Sequence, residues 1–121
     1  VNEERRNKMK RTFYIAGVQF RPENEIAQVI KQIHIGDVLV LTPEPTNSFD
    51  PNAVKIEYNV DNIFLGYVPK KYSSEVAGML EIEAPITCTV DEVNPLAKTY
   101  EMIKVTVQVP IDNFENEGDR K

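Results

Sequence analysis

Histidine and cysteine each occur once in the 121 residues, as His34 and Cys88, and these two scarcities exclude whole classes of function. A single cysteine forms no internal disulfide, and together with one histidine it cannot complete the ligand set of a structural zinc. Cysteine-histidine and serine-histidine catalytic pairs would all have to use His34. Glycine is also scarce, five residues widely spaced, so no phosphate-cradling loop is present. No apolar run approaches the roughly 18 residues of a membrane helix, and no membrane partner is expected. The opening VNEERRNKMKR lacks the apolar centre of a secretory signal, so the expected setting is the bacterial cytoplasm, or the nucleus of a eukaryote. Cys88 sits in the alternating run Ile86 to Val90 and reads as a small packed thiol. His34, between Ile33 and Ile35, reads as a helix C-terminal residue rather than a base.

What remains is an ordinary globular composition, 41% hydrophobic and 27% charged, at a length that suits one domain. The formal net charge of -5 argues against indiscriminate nucleic-acid binding, which depends on lysine and arginine displacing counterions from phosphates. The charge is unevenly spread. Arg5, Arg6, Lys8, Lys10 and Arg11 make a basic beginning, whereas Asp112, Glu115, Glu117 and Asp119 dominate the end. The expected organisation is a basic N-terminal tail over 1–11, one domain over 12–111 and an acidic C-terminal tail over 112–121.

Within that domain Thr12 to Val18 is aromatic and β-branched up to Gly17 and suits a first strand. Arg21-Pro22-Glu23 starts a helix expected to run to Ile33, with Ile26, Ala27, Val29, Ile30 and Ile33 at helical spacing. Val38 to Leu41 reads as a second strand. Thr42 to Asn52 holds three prolines, two asparagines and an aspartate, and must be a loop. Ala53 to Tyr58 and Ile63 to Val68 form a hairpin across Asn59 to Asn62. Ser73 or Ser74 caps a second helix through Leu80, and Pro85 to Asp91 with Tyr100 to Val109 make the last strand pair. About six strands and two short helices fit a mainly β fold, a β-rich α+β domain closed as a small barrel.

Long ordered loops in compact domains are disproportionately functional, which directs attention to Thr42 to Asn52. Glu44 and Asp50 form a conceivable acid-base pair, yet aspartate and asparagine in such loops ordinarily bond their own backbone. Glu44, Asn47, Asp50 and Asn52 gather oxygen ligands within nine residues, but not at the spacing of a calcium loop. No catalytic residue, metal ligand or cofactor is assigned. Single-stranded nucleic acid asks for aromatic faces, a few cations and polar groups. Phe20, Phe49, Tyr67 and Tyr100 supply the faces, and Arg21, Lys70 and Lys71 lie beside some of them. Phe49 stands out, being flanked by Ser48 and Asp50 in a polar loop with no periodic apolar neighbours.

Three stretches together resemble the HIRAN family: FYIAGVQF (13–20), LTPEPTNSFDPNAVKI (41–56) and IFLGYVPK (63–70). The most specific element is Asn47-Ser48-Phe49-Asp50-Pro51-Asn52-Ala53-Val54 followed by Gly66-Tyr67-Val68-Pro69. The resemblance implies an OB-like β-barrel, found alone in bacteria and at the front of eukaryotic fork-remodelling helicases, that captures single-stranded DNA at its free 3′ hydroxyl in repair or replication. By position it implies that Phe49 stacks on the terminal base, Asp50 bonds the 3′ hydroxyl and Asn47 contacts the terminal nucleotide. Phe20 would add an aromatic face, Lys70 would meet a phosphate, Tyr67 would line the groove and Tyr100 would stack on a neighbouring base. Gln19 stands where the helicase domains carry an arginine, and phenylalanines at 20 and 49 replace tyrosines.

The expected function is therefore a non-catalytic module for single-stranded DNA 3′ ends, with a helicase or nuclease as accompanying partner. Two readings from other classes stay open at this stage. One is a protein-interaction module that uses the same loop and groove. The other is a metal-dependent hydrolase of DNA ends built on Glu44 and Asp50.

Overall fold

Alternation of buried and exposed residues is the physical basis of the sheet, because successive side chains of a strand point to opposite faces. The computed structural model describes residues 7–110, so positions 1–6 of the expected basic tail and the whole expected acidic tail, 112–121, lie outside the described residues. Six strands form one antiparallel sheet: β1 (Asn7–Tyr14), β2 (Val38–Pro43), β3 (Val54–Glu57), β4 (Phe64–Tyr67), β5 (Thr87–Val93) and β6 (Ile103–Pro110), in the order β1-β6-β5-β2-β3-β4. Two helices, α1 (Glu23–Ile30) and α2 (Lys70–Glu81), and two short 3-10 turns at Val18–Phe20 and Thr99–Glu101 complete the chain. The mainly β, barrel-like fold expected from the sequence is the fold observed.

The sheet curls until its edges meet. Ala16, two residues beyond β1, exchanges both backbone hydrogen bonds with Tyr67 of β4, at 2.9 and 2.8 Å. Glycine at 66 permits this approach, since a Cβ there would collide with the Ala16 carbonyl oxygen and the Ile15 side chain. Inside the curl, Met9, Ile15, Ile56, Leu65, Val90, Ile103, Val105 and Val107 are almost wholly buried, and Ile26, Val29 and Ile33 from α1 and its exit join them. Each such side chain contributes about 1.5–3 kcal/mol by leaving water. Helix α2 lies against β1: Tyr72 stacks on Phe13 with ring centroids 5.6 Å apart, and Arg11 bonds Glu75 at 2.8 Å.

Several boundaries differ from the sequence expectation, each for a local reason. β1 begins at Asn7, inside the stretch read as a basic tail, because Met9, Phe13 and Ile15 alternate inward while Lys10 and Thr12 face out. Gly17, at φ 82, turns the chain, so Val18–Phe20 is a 3-10 turn and not the end of a strand. α1 stops at Ile30, three residues short of Ile33. α2 starts at Lys70, directly after Pro69, whose fixed φ suits a helix entry; Ser73 is therefore inside the helix and caps nothing. Tyr100 lies in the second 3-10 turn, before β6 rather than within it. The β3–β4 turn is as expected, with Asp61 and Asn62 both at positive φ. Cys88 is fully buried on β5, and burial, aided by the Asp91 carboxylate, pushes its thiol up to about 12. His34 is exposed beyond α1, its backbone N–H donating to the Asp37 carboxylate at 2.8 Å.

Candidate functional site

The β2–β3 loop is pinned at its base by a backbone hydrogen bond from Glu44 to Ala53, at 2.8 Å. Its interior is a set of turns that its own side chains build. Asn47 Oδ1 accepts the backbone N–H of Phe49 at 2.8 Å and of Asp50 at 3.0 Å. Asp50 Oδ1 accepts the N–H of Asn52 at 2.9 Å. These side-chain to backbone bonds are what asparagine and aspartate do in turns. They leave each residue a second polar atom, and those atoms tie the loop to the barrel.

Asn47 Nδ2 donates to Glu44 Oε1 at 3.0 Å, and the same oxygen accepts the Tyr67 hydroxyl at 2.9 Å. Glu44 thus braces the loop against β4, with Lys55 Nζ 3.9 Å from its other oxygen. On the far side, Asp50 Oδ2 accepts the hydroxyl of Ser73, a buried residue of α2, at 2.8 Å. Ser73 also reaches the Lys70 carbonyl at 3.1 Å. The loop is held between a strand and a helix.

Between those two anchors lies an open cleft of about 500 Å³, whose walls include Ala16, Asn47, Phe49, Asp50, Tyr67 and Lys70. Five of the seven residues singled out from sequence therefore share one cavity. Phe49 is 89% exposed, a flat apolar face that no neighbour covers. Phe20, 79% exposed, and Tyr100, 49% exposed, do not line the cleft; they sit on the two 3-10 turns, which touch each other to one side of β4. Arg21 is engaged elsewhere, its guanidinium 4.0 Å from the Phe64 ring centroid.

The electrostatics follow from these partners. The Ser73 hydroxyl, then the Asn52 N–H, hold the Asp50 carboxyl below its ordinary value, opposed by burial and assisted by the Lys70 ammonium. The Asn47 amide does the same for Glu44, opposed by burial and assisted by Tyr67 and Lys55. Burial and the neighbouring Glu44 push the Tyr67 hydroxyl up. At neutral pH both carboxylates are ionised acceptors, and each Asp50 oxygen, with one intramolecular partner, keeps lone-pair capacity for a ligand's donor.

Glu44 and Asp50 bond different partners, Glu44 the Asn47 amide and Tyr67 hydroxyl, Asp50 the Asn52 N–H and Ser73 hydroxyl. Among the described residues no group of three or more histidine, cysteine, aspartate or glutamate side chains is placed to hold a metal. Two contributors were not recognisable as such in the sequence. Ser73 reads there as a helix cap, 23 residues from the aspartate it holds, and Glu44, weighed there for acid-base or metal chemistry and assigned neither, serves as a brace. Only the proximity of Glu44 to Asn47 within the loop is a local signal.

Comparison with known proteins places this architecture. The family model of the HIRAN domain matches residues 11–110. No curated protein sequence matches the chain. Among solved structures, a Lactobacillus plantarum protein superposes with a TM-score of 0.66 at 15% identity, covering 82% of this chain and 91% of its own. The HIRAN domain of human HLTF superposes with a TM-score of 0.58 at 16% identity, covering 91% of this chain and 84% of its own.

Proposed function

The chain belongs to the HIRAN domain family, and from that premise we propose that it holds the free 3′ end of single-stranded DNA. The HIRAN domain is a DNA-binding rather than a catalytic domain. The observation that carries the finer reading is the pairing of an ionised Asp50, anchored by Ser73 and the Asn52 N–H, with the uncovered face of Phe49 in one cleft.

A carboxylate beside an internal phosphodiester is repelled, whereas a carboxylate that accepts a hydroxyl proton is favourable, and a DNA strand offers such a hydroxyl only at its terminus. Asp50 therefore selects ends. Phe49 stacks on the terminal base and adds about 1–3 kcal/mol regardless of sequence. Asn47 has one amide hydrogen beyond the one given to Glu44, available to the terminal nucleotide. Tyr67 donates its only proton to Glu44 and so offers the ligand an acceptor. Lys70, exposed at the start of α2, meets the first phosphate. One such contact on a chain of net charge -5 supports a shallow salt dependence, a slope of about -0.7 in log K against log salt. In a cell the module would work beside a helicase or nuclease that generates or consumes such ends.

The test is fluorescence anisotropy with one labelled oligonucleotide ending in either a 3′ hydroxyl or a 3′ phosphate. The hydroxyl end should bind severalfold more tightly, and Asp50→Asn should erase the difference. Equal binding of both ends by the unaltered protein would sink the reading, and no binding to either at low salt would transfer the cleft to a protein ligand.

A further inference from the structure

A second cleft, of about 580 Å³, opens on the other side of the first 3-10 turn, between that turn, α1 and the loop leading to the second turn. Its floor is apolar, with Val18 and Ile26 buried and Ile30 and Met102 partly so, and Arg21 and Lys31 bring positive charge to its walls. The two clefts border neighbouring stretches of the chain. Ala16 lines the first and Val18 the second, two residues apart, which by backbone geometry separates their Cα atoms by roughly 7 Å at most. On the same turn Phe20 stands out into solvent, and across from it Tyr100 is half exposed beside Lys98, whose ammonium is 5.9 Å from the ring centroid. Among the described residues neither Lys31 nor Lys98 has a carboxylate within ion-pair distance.

Resting on the end-capture reading, we propose that this second cleft receives the strand upstream of the terminal nucleotide: a base enters over its apolar floor, and Lys31 takes a phosphate. A chain leaving the first cleft over the turn meets an aromatic face, then a cavity with an apolar floor and cations on its walls. That succession is the combination of stacking platform and electrostatic groove by which single strands are held. Glu23, also on the wall, bars a phosphate from that side and favours the Lys31 side of the cleft. The binding footprint is therefore longer than the end-recognition cleft alone, and its length preference resides in α1.

Two substitutions separate this site from the first. Ala27 is exposed on α1 and lines the second cleft, so Ala27→Glu places a carboxylate in the cavity at a position where the helix tolerates it. Lys31→Gln removes the cation alone. Anisotropy would be measured with 5′-labelled oligothymidines of two and eight nucleotides, both ending in a 3′ hydroxyl. The unaltered protein should bind the longer strand about tenfold more tightly, the scale of one stacked base. Ala27→Glu should abolish that gain, and Lys31→Gln should lower the salt slope of the longer strand by about 0.7. Both variants should bind the dinucleotide as the unaltered protein does. A length gain that survives Ala27→Glu, or no gain in the unaltered protein, overturns the second site while end capture stands. Failure of both strands to bind overturns end capture and this inference with it.

Discussion

The Ser73 hydroxyl donates to Asp50 Oδ2 at 2.8 Å, so a buried residue of α2 fixes the charge and direction of a carboxylate on the β2–β3 loop. Ser73 is the largest of the influences that hold the Asp50 carboxyl below its ordinary value. Ser73→Ala should raise the Asp50 value toward that of a free aspartate, read from the carboxyl carbon in an NMR pH titration. An unchanged titration would show that Ser73 does not set it. The same substitution should weaken discrimination between hydroxyl and phosphate ends, because the carboxylate is then free to turn away.

Phe49 separates function from stability. With 89% of its surface exposed, it contributes little to the core, and Phe49→Ala should change unfolding free energy by no more than about 0.5 kcal/mol. Binding to single strands of any sequence should fall by about 1–3 kcal/mol. Thermal unfolding and anisotropy on the same sample check both halves, and a large loss of stability would mean that the ring packs in a way the structure does not have.

Glu44 gives the protein an acid-sensitive joint. Its carboxyl lies below the ordinary value because Asn47, Tyr67 and Lys55 favour the ionised form. Its contribution to stability is thus present above the unfolded-state value and is lost as pH falls through the folded-state value. Glu44→Gln should flatten the acid limb of a stability-against-pH curve measured by urea unfolding. Glu44→Ala should cost about 1 kcal/mol at neutral pH, where the Tyr67 hydroxyl and Asn47 amide lose their acceptor. Identical acid limbs in Glu44→Gln and the unaltered protein would rule out the brace as the source.

Gly66 is replaceable by nothing larger without moving the seam of the barrel. A methyl group there meets the Ala16 carbonyl, so Gly66→Ala should destabilise by about 2 kcal/mol or more, seen as a lower urea midpoint. A midpoint within error of the unaltered protein would mean that the seam gives way at no cost.

Cys88 should be silent. Its thiol, pushed up to about 12 and fully buried, has almost no thiolate at pH 8 and should react with a thiol reagent only as fast as the protein opens. Rapid labelling of the folded protein would contradict its place in the core.

The interior of the fold was largely legible in the sequence because strand alternation and helical spacing are local signals. Ile56 and Leu65 fall on opposite arms of a hairpin whose turn residues announce it. β1 was harder to place: Lys10 and Arg11 interrupt the apolar pattern, and Arg11 is tolerated in the strand by its ion pair with Glu75 on α2, 64 residues away. The same distance problem hid the second anchor of the site. Asn47, Phe49 and Asp50 announce themselves as a turn motif, and Tyr67 and Lys70 follow by resemblance, but a serine on a helix carries no mark that its partner lies on a loop. The sequence puts Phe20 and Tyr100 forward as further aromatic faces without saying which cavity they border. The turns at Gly17 and Lys98 that carry them off to the side of the first cleft depend on backbone angles that composition does not encode.

The pairing of Ala16 with Tyr67 has a protective side. It is the one residue pair through which β1's continuation and β4, the two ends of the sheet order, are joined among the described residues. An antiparallel sheet left open presents two rows of unpaired backbone groups, each a template for another chain. Since Ala16 and Tyr67 also line the first cleft, variants that spring this seam should lose solubility along with binding, and a ligand packed against it would guard the protein from edge-to-edge association.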